Sequence, residues 1–360
     1  MKPLMLVTAD WHIRRHDRVW VRRDDLFGDT AFGVFQVCGI AKKYEIPTVL
    51  LLGDLFEQKL QQSDALQLMR SALDKFQEQG TEVLYVQGQH EKSSPPILQA
   101  IHAWPKHIHK QVVTIGGHSM YGLDYMPATN VEEELREMPQ VDILATHQVW
   151  RDFMGADIGD AWIGDCNARM VLTGDYHKTE HKLFSDRETI SPGPLCMQSI
   201  SEPAEKYVFI IYEDLSAKKV KLITRSKFDV CLRTEEQLED FIETWNKNPS
   251  RIPQSGVPNE IMRNLLRVEY SYGIPNARAR IIARVGNSVH LFLKPIPADI
   301  EEIDVDVNSR VDAVIGGGLE GCIREFYSKN EQAMLSAIRL LQAEKSKDEL
   351  LQIYKELVTA

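Results

Sequence analysis

Cysteine is scarce: Cys38, Cys166, Cys196, Cys231 and Cys322 are the only five in 360 residues, widely scattered and with no Cys-x-x-Cys pair. Such spacing argues against a thiolate metal site and predicts a reducing, cytoplasmic setting. Long hydrophobic runs are missing too, and none approaches the ~18 residues a membrane span needs, so no membrane partner is expected. The apolar opening, MKPLMLVTADWH, is too short for a secretory signal and lacks a cleavage pattern, which makes it a first strand. Positive charge is in deficit, with 42 Lys and Arg against 52 Asp and Glu, a net charge of −10. The overall balance therefore does not advertise a nucleic-acid partner. Internal repeats and low-complexity tracts are also lacking.

What remains is an ordinary globular composition, 43% hydrophobic and 26% charged, long enough for one large domain and smaller ones. The chain is organised around residues 48–54, TVLLLGD, a buried strand running straight into a carboxylate at Asp54. Ligands collect at the carboxyl ends of strands in open α/β sheets. A lone Gly-Asp is an ordinary turn, but the design recurs. Residues 4–9 read as a strand closing on Asp10 and His12, and 82–86 as one closing on Gly88, Gln89, His90 and Glu91. Residues 142–145 close on His147, and 169–173 on Asp175 and His177.

Between these strands, 29–44 and 63–79 have helical spacing, the latter with an apolar stripe of Leu66, Met69, Leu73 and Phe76. Ser94-Pro95 reads as a helix start. Residues 112–115, 119–125, 189–194 and 207–212 read as further strands. After about residue 228 the polar clusters stop. A helix over 234–245, strands over 265–272 and 288–294 and a loop over 249–258 then predict a small α+β module. From residue 328, Met334, Ile338, Leu341, Leu350, Tyr354 and Leu357 form apolar stripes among Lys and Glu, as in helices that seek a partner. One local field opposes the global charge: Arg14, Arg15, Arg18, Arg22 and Arg23 crowd one segment, a candidate for phosphate contact.

Five strand ends thus carry carboxylates, imidazoles and one amide, donors suited to hard or borderline ions such as Mn²⁺ or Zn²⁺. Residues two apart, as in Asp10-Trp11-His12 and Asp175-Tyr176-His177, can point the same way. Two ions bridged by one carboxylate would clamp both oxygens of an in-line phosphoryl displacement, and Asp54 is the central candidate for the bridge.

The ordered blocks Asp10-Trp11-His12, Gly53-Asp54-Leu55, Gly88-Gln89-His90-Glu91, Thr146-His147-Gln148 and Gly174-Asp175-Tyr176-His177 resemble those of the calcineurin-like metallophosphoesterases. Ala9 before Asp10, Phe56 after Leu55 and the Thr146-His147-Gln148 triplet resemble the SbcD-type nucleases of DNA double-strand-break repair. Ser191-Pro192-Gly193-Pro194 followed by Glu202 resembles the closing strand and turn of the family. The likeness covers about residues 1–215. It implies an α/β (α+β) fold, a β-sandwich flanked by helices over 1–225, a capping domain over 226–305, and a linker with C-terminal helices over 306–360. It implies a DNA exonuclease and single-strand endonuclease with two divalent ions, Mn²⁺ with Mg²⁺ as the alternative. Asp10, His12 and His177 would hold the first ion, and Gln89, His147 and Asp175 the second. Asp54 would bridge them, and His90 would be the catalytic, non-ligand histidine that stabilises the transition state or protonates the leaving oxygen. The five arginines and Lys92 would touch DNA. An SbcC-type coiled-coil ATPase would bind the C-terminal helices, and a homodimer would form through helices near 63–79 and 95–104.

Two positions depart from the family: Gln89 stands for asparagine and Asp175 for a histidine, both on the second ion. They mark a site retuned towards harder ions or one in decay. The alternatives are accordingly a DNA-end scaffold with a degenerate second site, or a small-molecule phosphodiesterase on the same fold. His102, His107, His109 and His118 read as surface residues, and His181 as peripheral to the site.

Overall fold

In β1 (Pro3–Thr8), β2 (Thr48–Leu52) and β3 (Glu82–Val86) nearly every residue is apolar, so both faces of the sheet they form must be covered. Alternation divides the side chains between two cores. Met5, Val7, Leu50, Leu52, Leu84 and Val86 face inward, against Ile143 and Ala145 of β7 (Val141–His147) and Met170 and Leu172 of β8 (Ala168–Gly174). Leu6, Val49, Leu51, Val83 and Tyr85 face outward and are covered by α1 (Gly28–Lys43) and α2 (Ser63–Glu78). The computed structural model describes residues 1–14, 28–59, 61–247, 264–286 and 289–297.

The first sheet is completed by β4 (Lys106–His107), β11 (Tyr207–Tyr212) and β12 (Ala217–Lys221), in the order β12-β11-β1-β2-β3-β4. The second contains β5 (Val112–Ile115), β6 (His118–Leu123), β9 (Glu180–Phe184) and β10 (Arg187–Ser191), ordered β5-β6-β7-β8-β10-β9. The outer face of the second sheet is covered by α4 (Ala128–Glu137), through Val131 and Leu135. The result is the helix-flanked β-sandwich of the mixed α/β class that the motifs imply. Strands β1, β2 and β3 run parallel, as do β7 and β8, so their carboxyl ends gather at one edge of each sheet.

A third sheet, β13 (Lys227–Leu232), β14 (Leu265–Ser271) and β15 (His290–Ile296), is wholly parallel. Its core joins Leu266 and Val268 to Leu238 of α6 (Glu235–Lys247) and to Ile281 and Val285 of α7 (Ala277–Val285). Residues Met1–Ile296 form one compact unit. The expected loop at 249–258, the linker and the C-terminal helices lie outside the described residues.

Several expectations need correction. Ser94-Pro95 does not open a helix: α3 is Ile97–Ile101, with Pro96 at its N-cap, so the segment 95–104 is helical over five residues only. Strands β4, β9, β12 and β13 are additional. The sequences EHKLF and AKKVK are largely charged and occupy sheet edges, where no second neighbour demands an apolar pattern. Met69, Leu73 and Phe76 of the α2 stripe are buried in the chain's own core, which is no correction to the apolar stripe read there.

The sandwich interior sets the stability of the strand ends. Leu50→Ala, a truncation at a fully buried central position, is expected to cost about 2–5 kcal/mol in chemical denaturation.

Candidate metal centre

The chain leaves its strands by turns that most side chains avoid. Asp10, His12, Asp54 and Asp175 adopt φ of 52°, 46°, 47° and 72°, in the left-handed region. Backbone pairing continues past the strands and fixes these turns: Asp10 N donates to Gly53 O (3.1 Å), His12 N to Asp54 O (2.9 Å) and Ile13 N to Leu55 O (2.9 Å). Glycines let the strand ends close on one another. A Cβ on Gly88 would stand 2.1 Å from Asp54 Oδ1, and one on Gly174 would stand 2.2 Å from Leu52 O and 2.5 Å from His147 Nδ1. Asp10 Oδ1 accepts from Asp175 N and Asp54 Oδ1 from His90 N, both at 3.0 Å. Each of these carboxylates therefore ties its own strand end to another.

The side chains converge in three overlapping groups, Asp10–His12–His177, His12–Asp54–His90 and Asp10–Asp54–His147, each with ligand atoms within 4.8 Å of one another. His147 is fully buried and its Nδ1 lies 2.6 Å from Leu52 O. A carbonyl can only accept, so Nδ1 carries the proton and Nε2 points into the site. That Nε2 is 3.5 Å from Asp54 Oδ2 and 3.9 Å from Asp175 Oδ1. His12 Nε2 and His177 Nε2 are 3.0 Å apart. His90 Nδ1 lies 2.6 Å from Glu57 O, which leaves Nε2 facing Asp54 Oδ2 at 3.6 Å. Gln89 Nε2 donates to Asp175 Oδ1 (2.8 Å), which turns Oε1 inward.

Besides His12 Nδ1, which faces Glu57, four buried atoms of this cluster lack a hydrogen-bond partner: Asp10 Oδ2, Asp54 Oδ2, Gln89 Oε1 and His147 Nε2. Leaving such groups unsatisfied costs about 1–3 kcal/mol each, and more where they are charged. All four are electron-pair donors, three oxygens and one nitrogen, and a divalent cation suits that set. The electrostatics point the same way. Burial pushes Asp10 up to about 6, with His147 and His12 opposing. Burial would lower His147, yet Asp54 and Asp10 reverse this and push it up to about 10. Burial would raise Asp54, but neighbouring His147 outweighs it and holds the carboxyl below its ordinary value. Glu91, buried and repelled by Asp54, is pushed up to about 8. Its carboxylate oxygens accept from Leu55 N (3.1 Å) and Gly88 N (2.9 Å), joining the loops after β2 and β3.

All eight expected site residues, Asp10, His12, Asp54, Gln89, His90, His147, Asp175 and His177, meet at this edge of the sandwich. Outcomes differ for the DNA-contact candidates. Arg14 Nη1 is engaged with Glu57 Oε1 (2.5 Å), and Lys92 Nζ donates to Tyr125 O (2.7 Å); Arg15, Arg18, Arg22 and Arg23 lie outside the described residues. His107 and His109 are not simple surface groups. His107 Nε2 lies 2.9 Å from both carboxylate oxygens of buried Asp124, and His109 Nδ1 accepts from Asp124 N (3.0 Å). Asp124 in turn accepts from Gln87 N (2.7 Å), holding the approach to Gln89 and His90. His181 pairs with Glu188 on the neighbouring strand. Glu57, overlooked in the sequence, places Oε2 3.0 Å from His12 Nδ1, and Glu202, read there only as part of the closing turn, places Oε1 4.0 Å from His177 Nδ1. Tyr125 places its ring 6.4 Å from that of His147. Glu57 follows Asp54 by three residues, which was the one local hint.

No family model matches the chain, and no curated protein matches it. Among solved structures, an archaeal phosphodiesterase is similar at 12% identity and a TM-score of 0.36, over 61% of this chain and 99% of the other. A Thermus thermophilus protein is similar at 12% identity and 0.42, over the same shares of 61% and 99%. A putative 5'-nucleotidase from Staphylococcus aureus is similar at 11% identity and 0.37, over 60% and 52%. Similarity this low says nothing of activity.

Close approach at Gly174 is what lets His147 stand against β2. Gly174→Ala is therefore expected to destabilise the fold by about 1–3 kcal/mol, the usual cost of overpacking, read as a lowered midpoint in chemical denaturation. The same change should weaken Mn²⁺ binding in calorimetry.

Proposed function

We propose that the chain is a metal-dependent phosphodiesterase of the calcineurin-like type. The observation that carries this reading is the set of buried, unpartnered donors, Asp10 Oδ2, Asp54 Oδ2, Gln89 Oε1 and His147 Nε2, at the meeting of five strand ends. Asp10, His12 and His177 would hold one divalent ion, Gln89, His147 and Asp175 a second, with Asp54 shared. Bound there, such ions supply Lewis acidity towards a phosphoryl oxygen and an ionised water at neutral pH.

The chain's own groups do the rest. Asp10, Asp54 and His147 have no solvent exposure, so their charges act in a dry setting where they are strong. His90 and His177, each with 36% of the side chain exposed, form the open side, where a phosphodiester can approach. The proton on His90 Nδ1 is committed to Glu57 O, so only Nε2 can exchange one with the substrate. A protonated His90 Nε2 would give its proton to the leaving oxygen.

The finer reading is a DNA nuclease subunit of SbcD type. Its support is the order of the five motif blocks, together with the arginines from 14 to 23 beside them. In that reading the segment from residue 328 engages a coiled-coil ATPase. A second reading, a small-molecule phosphodiesterase, is favoured by the engagement of Arg14 and Lys92 with Glu57 and Tyr125, which leaves less free basic surface near the site.

Hydrolysis of labelled duplex DNA, single-stranded DNA and bis(p-nitrophenyl) phosphate separates the readings. Chelation should stop turnover of every substrate, and Mn²⁺ should restore it. Asp54→Ala should abolish hydrolysis, whereas His90→Ala should keep Mn²⁺ binding and slow turnover by ~10²–10⁴. Metal-independent hydrolysis, or an active Asp54→Ala protein, would defeat the assignment. Cleavage confined to the small diester would defeat the nuclease reading alone. Deletion of residues 328–360 should leave hydrolysis intact while abolishing co-purification with the ATPase; retained co-purification would remove the partner role from this segment.

A further inference from the structure

Glu57 belongs to none of the motif blocks, yet two histidines of the site are held by it. Its backbone oxygen lies 2.6 Å from His90 Nδ1. Its carboxylate Oε2 lies 3.0 Å from His12 Nδ1, in ion-pair contact but without the alignment of a full hydrogen bond. The other carboxylate oxygen takes Arg14 Nη1 at 2.5 Å. The backbone around Glu57 is anchored as well: Glu57 N donates to Ile13 O (3.3 Å), and Phe56 bridges Ile13.

We propose that Glu57 is a positioning residue that fixes the tautomer and ring direction of both His12 and His90, acting on them through two different atoms of one residue. The chemistry follows from what each atom can accept. A carbonyl oxygen and a carboxylate facing a ring nitrogen both require that nitrogen to carry hydrogen. Both rings are then protonated at Nδ1, and both Nε2 lone pairs are directed towards Asp54 and His177. The pairing explains the contact between His12 Nε2 and His177 Nε2, 3.0 Å apart, at a separation where two lone pairs repel and two N–H groups collide. With His12 Nε2 bare, His177 can donate to it, or both nitrogens can share one cation. A carboxylate behind a ligating histidine also raises the basicity of the ligating nitrogen. Arg14 holds the Glu57 carboxylate from the other side, a role different from phosphate contact.

The tautomer half of this inference stands without any metal, while the affinity half rests on the metal reading given above. Long-range ¹H–¹⁵N correlation spectra of the metal-free, ¹⁵N-histidine-labelled protein report each ring's tautomer. The expected spectrum has His12 and His90 protonated at Nδ1. In Glu57→Ala the backbone oxygen remains, so His90 should keep its tautomer while His12 loses its preference. Calorimetry with Mn²⁺ should show affinity falling by about 10–100-fold, the usual effect of removing a partner behind a metal-binding histidine. Glu57→Gln keeps a single acceptor oxygen and should give a smaller loss. Arg14→Gln leaves the carboxylate in place and should shift affinity least, in the same direction. Near-wild-type melting temperatures in the last two variants keep the comparison free of unfolding.

A wild-type His12 protonated at Nε2 would overturn the proposal. So would a Glu57→Ala protein with the wild-type His12 signal and unchanged Mn²⁺ affinity. Wild-type protein that binds no Mn²⁺ would instead defeat the metal reading, and the spectra would still decide the tautomer claim.

Discussion

The structure depends on negative charge buried without enough hydrogen to satisfy it. Asp10 and Asp54 have no solvent exposure, and each keeps one carboxylate oxygen free of any hydrogen bond. A protein interior tolerates such a carboxylate only beside a positive charge or a proton. The neighbours reflect that demand. His147 is pushed up to about 10 and Glu91 to about 8, so both shift towards the forms that add least negative charge to the site. Between the two sheets lie mainly aliphatic side chains, and at this edge carboxylates and imidazoles from both meet. The surrounding packing supplies the stability against which the charges are concentrated.

Rigidity at the site comes from the backbone. Two imidazoles have their protons set by carbonyl oxygens, Leu52 O for His147 and Glu57 O for His90, and those carbonyls are themselves held by the run-out of β2. A carbonyl cannot change its role with pH, so this orientation survives conditions that would disturb a side-chain partner. The left-handed turns at Asp10, His12, Asp54 and Asp175 belong to the same scheme. They turn the side chains across the strand ends, where an extended chain would have sent alternate residues to opposite faces. The unusual pair, Gln89 and Asp175, is internally consistent: the longer amide reaches the carboxylate and still directs its oxygen into the site. That preserves an oxygen-rich donor set, which favours harder ions.

Much of this was legible because buried parallel strands announce themselves. TVLLL, EVLYV and YVFIIY have the strand limits read from the sequence, since no polar residue interrupts them and a polar cluster or turn follows. The convergence of the site was legible for the same reason, as parallel strands bring their carboxyl ends together. The edge strands β9 and β12 were not. β9 and β12 are exposed, charged and paired on one side, so nothing in their composition separates them from loop. Glu57 was invisible in its role, because His12 lies 45 residues before it and His90 33 residues after it in the chain. His107 and His109 were misread for a similar reason: Asp124, which joins them, arrives on a different strand end.

The same long-range pairing changes how the basic segment is to be understood. Counted along the chain, Arg14 is the first member of a cluster of cations next to a phosphate site. In space it lies in a chain of contacts, Arg14 to Glu57 to His12. A cation already paired with a carboxylate gives little attraction to an incoming phosphate, because the pair is nearly neutral at the distance of the substrate. At the open side of the centre, among the described residues, His90 and His177 are exposed groups. In the proposed reading, a substrate drawn mainly by the centre would be selected at its reacting diester.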